Sequence, residues 1–337
     1  MRTSRLLTVM VATVLATTVM AGCSQSTDSD TIRFALDWTP NTNHTGLYVA
    51  LQEGYFADAG LDVEVLPYNN TAADTLVDAG NAEFGISTQS STVFARSAGA
   101  RTVSVLAPLQ HWATGIGVRA DRDDIASPRA LDGKVYAGFG ESGEQAGLRQ
   151  VIENDGGTGE YETVVLGTSA YEAVYSGTAD FTVSYLAWEG IEAEHSGTPM
   201  KYFDYTDYGF PDAYAITING NEPWLAAHPD EAKKFVQALQ RGYQLAADDP
   251  DRAAQDLIDA NPGTFTDESL VFESQKMLAE KYMKDSAGEV GRQSIDTWTA
   301  YSKFLYDSGV LTDQNGAPLS AEPDWSTYFT DDYLGDR

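Results

Sequence analysis

The sequence predicts an α/β fold arranged as two similar lobes around a shared cleft, and three observations carry that prediction. Apolar strand-like runs alternate with amphipathic helical runs from Ile32 onward, which is the pattern of mainly parallel sheets joined by helices. The segment Gly80-Asn81-Ala82-Glu83-Phe84-Gly85-Ile86-Ser87 is echoed by Gly177-Thr178-Ala179-Asp180-Phe181-Thr182-Val183-Ser184. Both copies place a glycine at a helix end, then a strand, then a polar loop. The length, 337 residues, exceeds what one small core organises and suits two.

The elements follow in order. Ile32-Arg33-Phe34-Ala35-Leu36 reads as a strand, and His44 to Glu53 as a helix ended by Gly54. Gly60 closes a short turn, after which Leu61-Asp62-Val63-Glu64-Val65 alternates with period two, as a strand does. Thr71 to Ala79 reads as a helix and Glu83-Phe84-Gly85-Ile86 as the next strand. In the second unit Lys134-Val135-Tyr136-Ala137 answers the first strand, with Lys134 aligned on Arg33. Connections between lobes are expected near His111–Val118 and Tyr205–Ala215, the latter rich in Asp, Tyr, Gly and Pro. From Glu222 the pattern is helical: Asp230–Ala247, Pro250–Ala260, Asp267–Met283 and Gly291–Ser308, with an irregular end. The expected lobes are therefore 31–114 with 215–337, and 115–214. Ligands of open α/β sheets sit beyond the carboxyl ends of the strands, so the loops there should face the cleft.

The beginning of the chain predicts export. Arg2 and Arg5 precede an uncharged, mostly apolar run from Leu6 to Ala21, then Gly22-Cys23 and a polar stretch from Ser24 to Asp30. That is a secretion signal, too short to span a bilayer comfortably. Gly22-Cys23 resembles a lipobox, in which the cysteine is lipidated and becomes the new N-terminus. Residues 1–22 are then a signal peptide and 23–30 a tether. Cys23 is the sole cysteine, which excludes an internal disulfide and a cysteine metal site. The formal charge is −29, and a surface so acidic repels nucleic acid.

Several loops carry candidate chemistry. Asp37-Trp38-Thr39-Pro40-Asn41-Thr42-Asn43-His44-Thr45 lies between the first strand and first helix. Asn41 or Asn43 can cap that helix. Trp38 offers a flat face for an aromatic ring, with buried packing as its other role. Gly138-Phe139-Gly140-Glu141-Ser142-Gly143 matches a dinucleotide pattern, but Glu141 and Glu144 stand where a pyrophosphate would want no charge. The alternative is a tight loop whose backbone N–H groups approach a ligand's polar tail, followed by a capping box of Ser142 and Gln145. In Tyr185-Leu186-Ala187-Trp188-Glu189-Gly190-Ile191-Glu192, aromatic rings stand beside carboxylates. A carboxylate accepts from an exocyclic amine and, with the adjacent ring nitrogen protonated, engages both. Glu189 reads as a helix-start acid favoured by the dipole, and Glu192 as either surface acid or contact. His44, His111, His195 and His228 show no metal spacing, and no nucleophile stands with a base, so no metal and no catalytic residue is expected.

The run from Phe34 to Ala50, with Glu53-Gly54-Tyr55-Phe56, Gly60–Val65, Gln110-His111, Gly138–Ser142 and Trp188–Glu194, closely resembles the bacterial binding lipoproteins for thiamine-pyrimidine precursors. More loosely it is similar to nitrate, sulfonate and taurine binders, and riboflavin is a further alternative cargo. The resemblance implies a type II periplasmic-binding-protein fold, monomeric and without a cofactor, that closes on a small aromatic solute and serves an ABC permease. It implies Trp38 as a stacking wall, Asn41, Asn43 and His44 as polar contacts, and Trp188 and Glu192 as contacts from the second lobe. Tyr185 and Tyr214 are further aromatic candidates by position. A related family, thiamine pyrimidine synthase, makes the pyrimidine from its own histidine and pyridoxal phosphate. Its lysine and histidine fall at Ser87 and Ser91, and its cysteine-rich segment at Tyr205–Ala215, which holds no cysteine. The resemblance therefore implies a binder outside the membrane and not an enzyme.

Overall fold

Phe34 and Phe84 explain where the first sheet forms: both are fully buried, and Phe84 stacks on Phe235 with ring centroids 4.2 Å apart. The computed structural model describes residues 31–335; the expected signal peptide, Cys23 and the expected tether lie outside the described residues. Strands β1 (Ile32–Ala35), β2 (Val63–Leu66), β3 (Phe84–Ser87) and β4 (Thr102–Leu109) belong to this sheet. Strands β5 (Thr114–Arg119), β6 (Val135–Gly138), β7 (Glu162–Val165), β8 (Phe181–Tyr185) and β9 (Met200–Asp204) form the second. Strand β10 (Ile216–Asn221) returns to the first. The orders are β2-β1-β3-β10-β4 and β7-β6-β8-β5-β9.

The two sheets share one plan. β1 runs parallel to β2 and β3, while β10 is antiparallel to β3 and β4. In the second, β6 runs parallel to β7 and β8, and β5 is antiparallel to β8 and β9. One reversed strand between parallel neighbours in each lobe is the type II binding-protein arrangement that the sequence predicts. The sequence repeat marks β3 and β8, the middle strand of each sheet. Equivalent carboxylates precede them: Glu83 accepts the Arg33 N–H at 2.7 Å, and Asp180 accepts the Val135 N–H at 2.8 Å. Arg33 therefore corresponds to Val135, one residue beyond the Lys134 alignment.

The helices of the C-terminal half cover the first sheet. Pro229–Asp248 packs on Thr45–Gln52, and the two backbones approach so closely that only glycine fits at the crossing. A Cβ on Gly242 would lie 2.1 Å from the Gly46 carbonyl oxygen. This crossing seats the loop that precedes Thr45. Helix Ile295–Asp307 lies under both connections between lobes, with Tyr301 5.5 Å from Trp112 and 5.8 Å from Phe210. Among the described residues no helix is long and apolar enough to cross a membrane.

Some expectations are corrected. The first connection is only Gln110–Ala113, because β5 begins at Thr114, inside the expected 111–118 connector. The connections are tied together: the Trp112 N–H donates to Asp212 Oδ1 at 2.7 Å, and His111 Nδ1 lies 2.7 Å from Asp212 Oδ2. Helix Ser142–Asn154 starts with no side-chain cap, so the Ser142–Gln145 box does not form.

Candidate ligand-binding site

A cavity of about 360 Å³ opens where the carboxyl ends of both sheets meet. The loop after β1 contributes Asp37, Trp38, Thr39 and Asn41 to Asn43; Thr88 comes from the loop after β3 and Ser90 from the helix Gln89–Ser97 that follows it. From the second sheet come Phe139 after β6, and Tyr185, Trp188 and Glu189 around the end of β8. Trp112, Thr114, Ala215 and Ile216 line it from the connections and the strands that follow them. Among the described residues, Asp37 and Glu189 are its two carboxyl groups, and no lysine, arginine or histidine lines it.

The first-lobe wall is a self-supporting loop. Asn41 caps the turn Thr42–His44, its Oδ1 accepting the Asn43 N–H at 2.9 Å. The Asn41 N–H donates to His44 Nδ1 at 3.3 Å, so His44 fills the reach-back role that Glu or Gln takes in an ordinary capping box. That acceptor role leaves the proton on Nε2, which donates to Asp37 Oδ1 at 2.8 Å. Fully buried His44 thereby fixes a carboxylate at the cavity edge. Trp38 is 43% exposed and leans on Tyr68, centroids 5.1 Å apart. Its face toward the cavity is available for stacking.

The second-lobe wall centres on Glu189, the first residue of helix Glu189–His195. One oxygen, Oε2, accepts the Tyr185 N–H at 3.2 Å. Burial pushes its pKa up to about 7, and the neighbouring Glu192 charge adds to the rise. Trp188 lines the cavity and packs against Phe265 of the other lobe at 6.3 Å. Buried polar atoms of three lining residues lack a protein partner: Asn43 Oδ1, Trp112 Nε1 and the Tyr185 hydroxyl. The set offers an acceptor, a donor and a group able to do either, suited to a ligand with mixed polarity.

The structure brings Trp38, Asn41, Asn43, Tyr185 and Trp188 to one cavity and separates the other three expected contacts. His44 faces Asp37 and Asn41 instead of the cavity. Glu192 is exposed, because the helix begins at Glu189 and one turn later its flank faces water. Tyr214 is 2% exposed; its hydroxyl accepts the Ser294 N–H at 2.6 Å, and its own N–H donates to Gln89 Oε1. It pins the second connection to the helical half. Asp37, Trp112, Phe139 and Glu189 line the cavity as well, beyond the contacts expected from the sequence. Phe139, 40% exposed inside a glycine-rich loop, was the most legible of these. That loop's N–H groups do not await a ligand tail: those of Phe139 and Gly140 both donate to Glu144 Oε1 at 3.2 Å. Among the described residues no cluster of acids, histidines or cysteines could hold a metal ion.

The formylaminopyrimidine-binding protein of Halalkalibacterium halodurans is 31% identical over 313 residues, 88% of this chain and 92% of its own. The 4-amino-5-hydroxymethyl-2-methylpyrimidine phosphate synthase THI11 of Saccharomyces cerevisiae is 23% identical over 91% of this chain and 88% of its own. The periplasmic aliphatic sulphonate binding protein SsuA from Escherichia coli superposes with a TM-score of 0.66 at 14% identity, over 87% of this chain and 94% of its own, a likeness of fold alone. The model of the NMT1/THI5-like family matches residues 41–253, and the chain belongs to that family.

Proposed function

We propose that the protein is the substrate-binding subunit of an ABC importer and captures a thiamine-type aminopyrimidine outside the membrane. One observation carries the choice of ligand: a cavity with aromatic walls and two carboxyl groups, without a single cation among the described residues. A nitrate, sulfonate or taurine sulfonate group would meet Asp37 and Glu189 with nothing to compensate its charge. An aminopyrimidine brings an exocyclic amine for one carboxyl and a flat ring for Trp38 or Phe139. Glu189 with a pKa near 7 shares one proton with the adjacent ring nitrogen, so acid and ring together present two complementary hydrogen bonds.

The similarity to a formylaminopyrimidine-binding protein over most of both chains supports the same reading. A synthase would need an amine for pyridoxal phosphate, and no lysine among the described residues lines the cavity. Ser87, where the resemblance puts the synthase lysine, is buried and donates to Asp74 Oδ2 at 2.6 Å. We place the protein as a monomer at the outer face of the cell membrane, held by lipid on Cys23; two or three acyl chains would anchor it durably where one would not.

Calorimetry and native mass spectrometry on the mature chain, with hydroxymethylpyrimidine, formylaminopyrimidine, riboflavin and taurine, test the assignment. Both pyrimidines should bind and taurine should not. Binding of taurine or riboflavin in preference to either pyrimidine would replace the ligand and leave the importer role. An absorbing, reducible pyridoxal–lysine adduct would overturn both.

A further inference from the structure

A single pyrimidine leaves much of the cavity unused. By bulk a hydroxymethylpyrimidine matches about six water molecules, or roughly 180 Å³ at the share each takes in the liquid. The cavity holds about 360 Å³. One ring also has only two faces to cover, yet six of the eighteen lining residues are aromatic: Trp38, Trp112, Phe139, Tyr171, Tyr185 and Trp188. Trp38, Trp112 and Trp188 each lean on a ring outside the cavity, whereas among the described residues Phe139 and Tyr171 lean on none. Charge is left over as well. Glu189 and the pyrimidine share one proton, which accounts for one carboxyl. Asp37 stands on the first-lobe wall, where its Oδ1 accepts an N–H from His44 at 2.8 Å. That bond orients the carboxylate and leaves Oδ2 without a protein donor among the described residues, and no lysine or arginine there pairs with it.

We propose that the cargo is a two-ring cation: an aminopyrimidine read by Glu189, joined to a second aromatic ring of permanent positive charge that lies against Phe139 and Tyr171 and is balanced by Asp37. Aromatic faces attract a cation through their ring quadrupoles, and a carboxylate in the same water-poor cage supplies the opposite charge. The cation-free lining acts in the same direction, since among the described residues nothing in the cavity repels a positive ring. A second ring on a one-carbon link brings the ligand to the bulk of about eleven waters, roughly 330 Å³, close to the volume present. The first ring of this cargo rests on the aminopyrimidine reading above. Its cationic half rests on Asp37 and the surplus of aromatic faces, and stands without that reading.

Calorimetry on the mature protein compares three probes. They are thiamine, whose aminopyrimidine carries a thiazolium ring, hydroxymethylpyrimidine, and the neutral isostere of thiamine in which carbon replaces the charged nitrogen. Thiamine should bind about 100-fold more tightly than hydroxymethylpyrimidine, and the neutral isostere about tenfold more weakly than thiamine. Asp37→Asn keeps an oxygen for the His44 N–H and removes the charge. It should cut the preference for thiamine over hydroxymethylpyrimidine by about tenfold, with thermal unfolding to check that the variant folds. Phe139→Ala should cost thiamine more than hydroxymethylpyrimidine. Hydroxymethylpyrimidine binding as tightly as thiamine overturns the proposal and leaves the aminopyrimidine reading in place. Equal affinity for thiamine and its isostere overturns it too, and needs no variant. Binding of thiamine without any of hydroxymethylpyrimidine supports the second-ring site and withdraws the single ring as cargo. Binding of neither sinks both readings.

Discussion

Replacing Glu189 by glutamine should separate recognition of the ring from its dependence on pH. With its pKa raised to about 7, Glu189 near neutrality is divided between acid and carboxylate. The acid form donates its O–H to a neutral pyrimidine nitrogen and accepts from the amine with its carbonyl. The carboxylate needs the ring protonated to do the same. Either way one proton must be present, and above pH 7 it has to be taken up on binding. For a raised carboxyl the favourable, protonated form is present below the folded pKa and lost as pH climbs through it. The resulting slope approaches tenfold in affinity per pH unit, so from pH 7 to pH 9 the dissociation constant should rise about 50-fold, or roughly 2.3 kcal/mol. A glutamine side chain in Glu189→Gln offers an N–H and a carbonyl in the same places and does not titrate. Calorimetry at pH 6, 7, 8 and 9, in buffers of different ionisation enthalpy, should show proton uptake by the wild type at the alkaline end and none by Glu189→Gln. A flat wild-type profile, or identical profiles for the two proteins, would refute the shared proton.

Trp38→Ala should weaken the pyrimidine by about 1 kcal/mol beyond the lost contact area, with little change in melting temperature because the ring is already 43% exposed; an equal loss for a non-aromatic ligand would count against stacking. His44→Ala leaves the Asn41 N–H and the Asp37 carboxylate without their shared partner. It should cost about 1–3 kcal/mol of stability in a denaturant titration and weaken the ligand as well. Unchanged affinity would show that Asp37 needs no support. His195 bridges the lobes, with Nδ1 2.8 Å from Asp267 and Nε2 3.2 Å from Glu273, and these bonds raise its pKa, Asp267 foremost. Glu194 and Lys276 line the same gap. Its contribution to lobe contact is complete below the ordinary histidine value and fades as pH rises through the raised one. X-ray scattering of the ligand-free protein should show lobe separation increasing across that range, and His195→Gln should abolish the trend; coincident curves would remove His195 as the cause.

Legibility in the sequence followed the physics of each element. The long amphipathic helices were readable to within a few residues: Pro250–Ala260 is as expected, and Asp230–Ala247 became Pro229–Asp248. Strand β10 is not legible, because its strand-forming residues are only Ile216-Thr217-Ile218 and the Asn219-Gly220-Asn221 that completes it carries the residues of a turn. All six are buried, and the polar ones are matched by tertiary partners, Asn219 Nδ2 donating to Asp74 and Asn221 Nδ2 to the Val77 carbonyl. Such pairing between segments far apart in the chain leaves no local periodicity. In the cleft, Trp38 is legible as a lining residue because its loop follows the carboxyl end of a strand, where the walls of such cavities form. The sequence reading takes Glu189 as the helix-start acid and Glu192 as the contact, whereas Glu189 is both the first residue of the helix and the carboxyl that lines the cavity.

Strand β10 also bears on how the chain is made. It lies between β3 and β4, which bond to it and not to each other, yet it follows them by more than a whole lobe of sequence. A nascent chain that has emerged as far as Leu109 therefore holds two sheet fragments with nothing to join them. Closure must await residues 216–221 and incurs the loop-closure entropy of everything between. On the extracytoplasmic role proposed above, which would have the chain cross a membrane as an unfolded thread, late closure is an asset. The first lobe cannot complete itself prematurely on the wrong side.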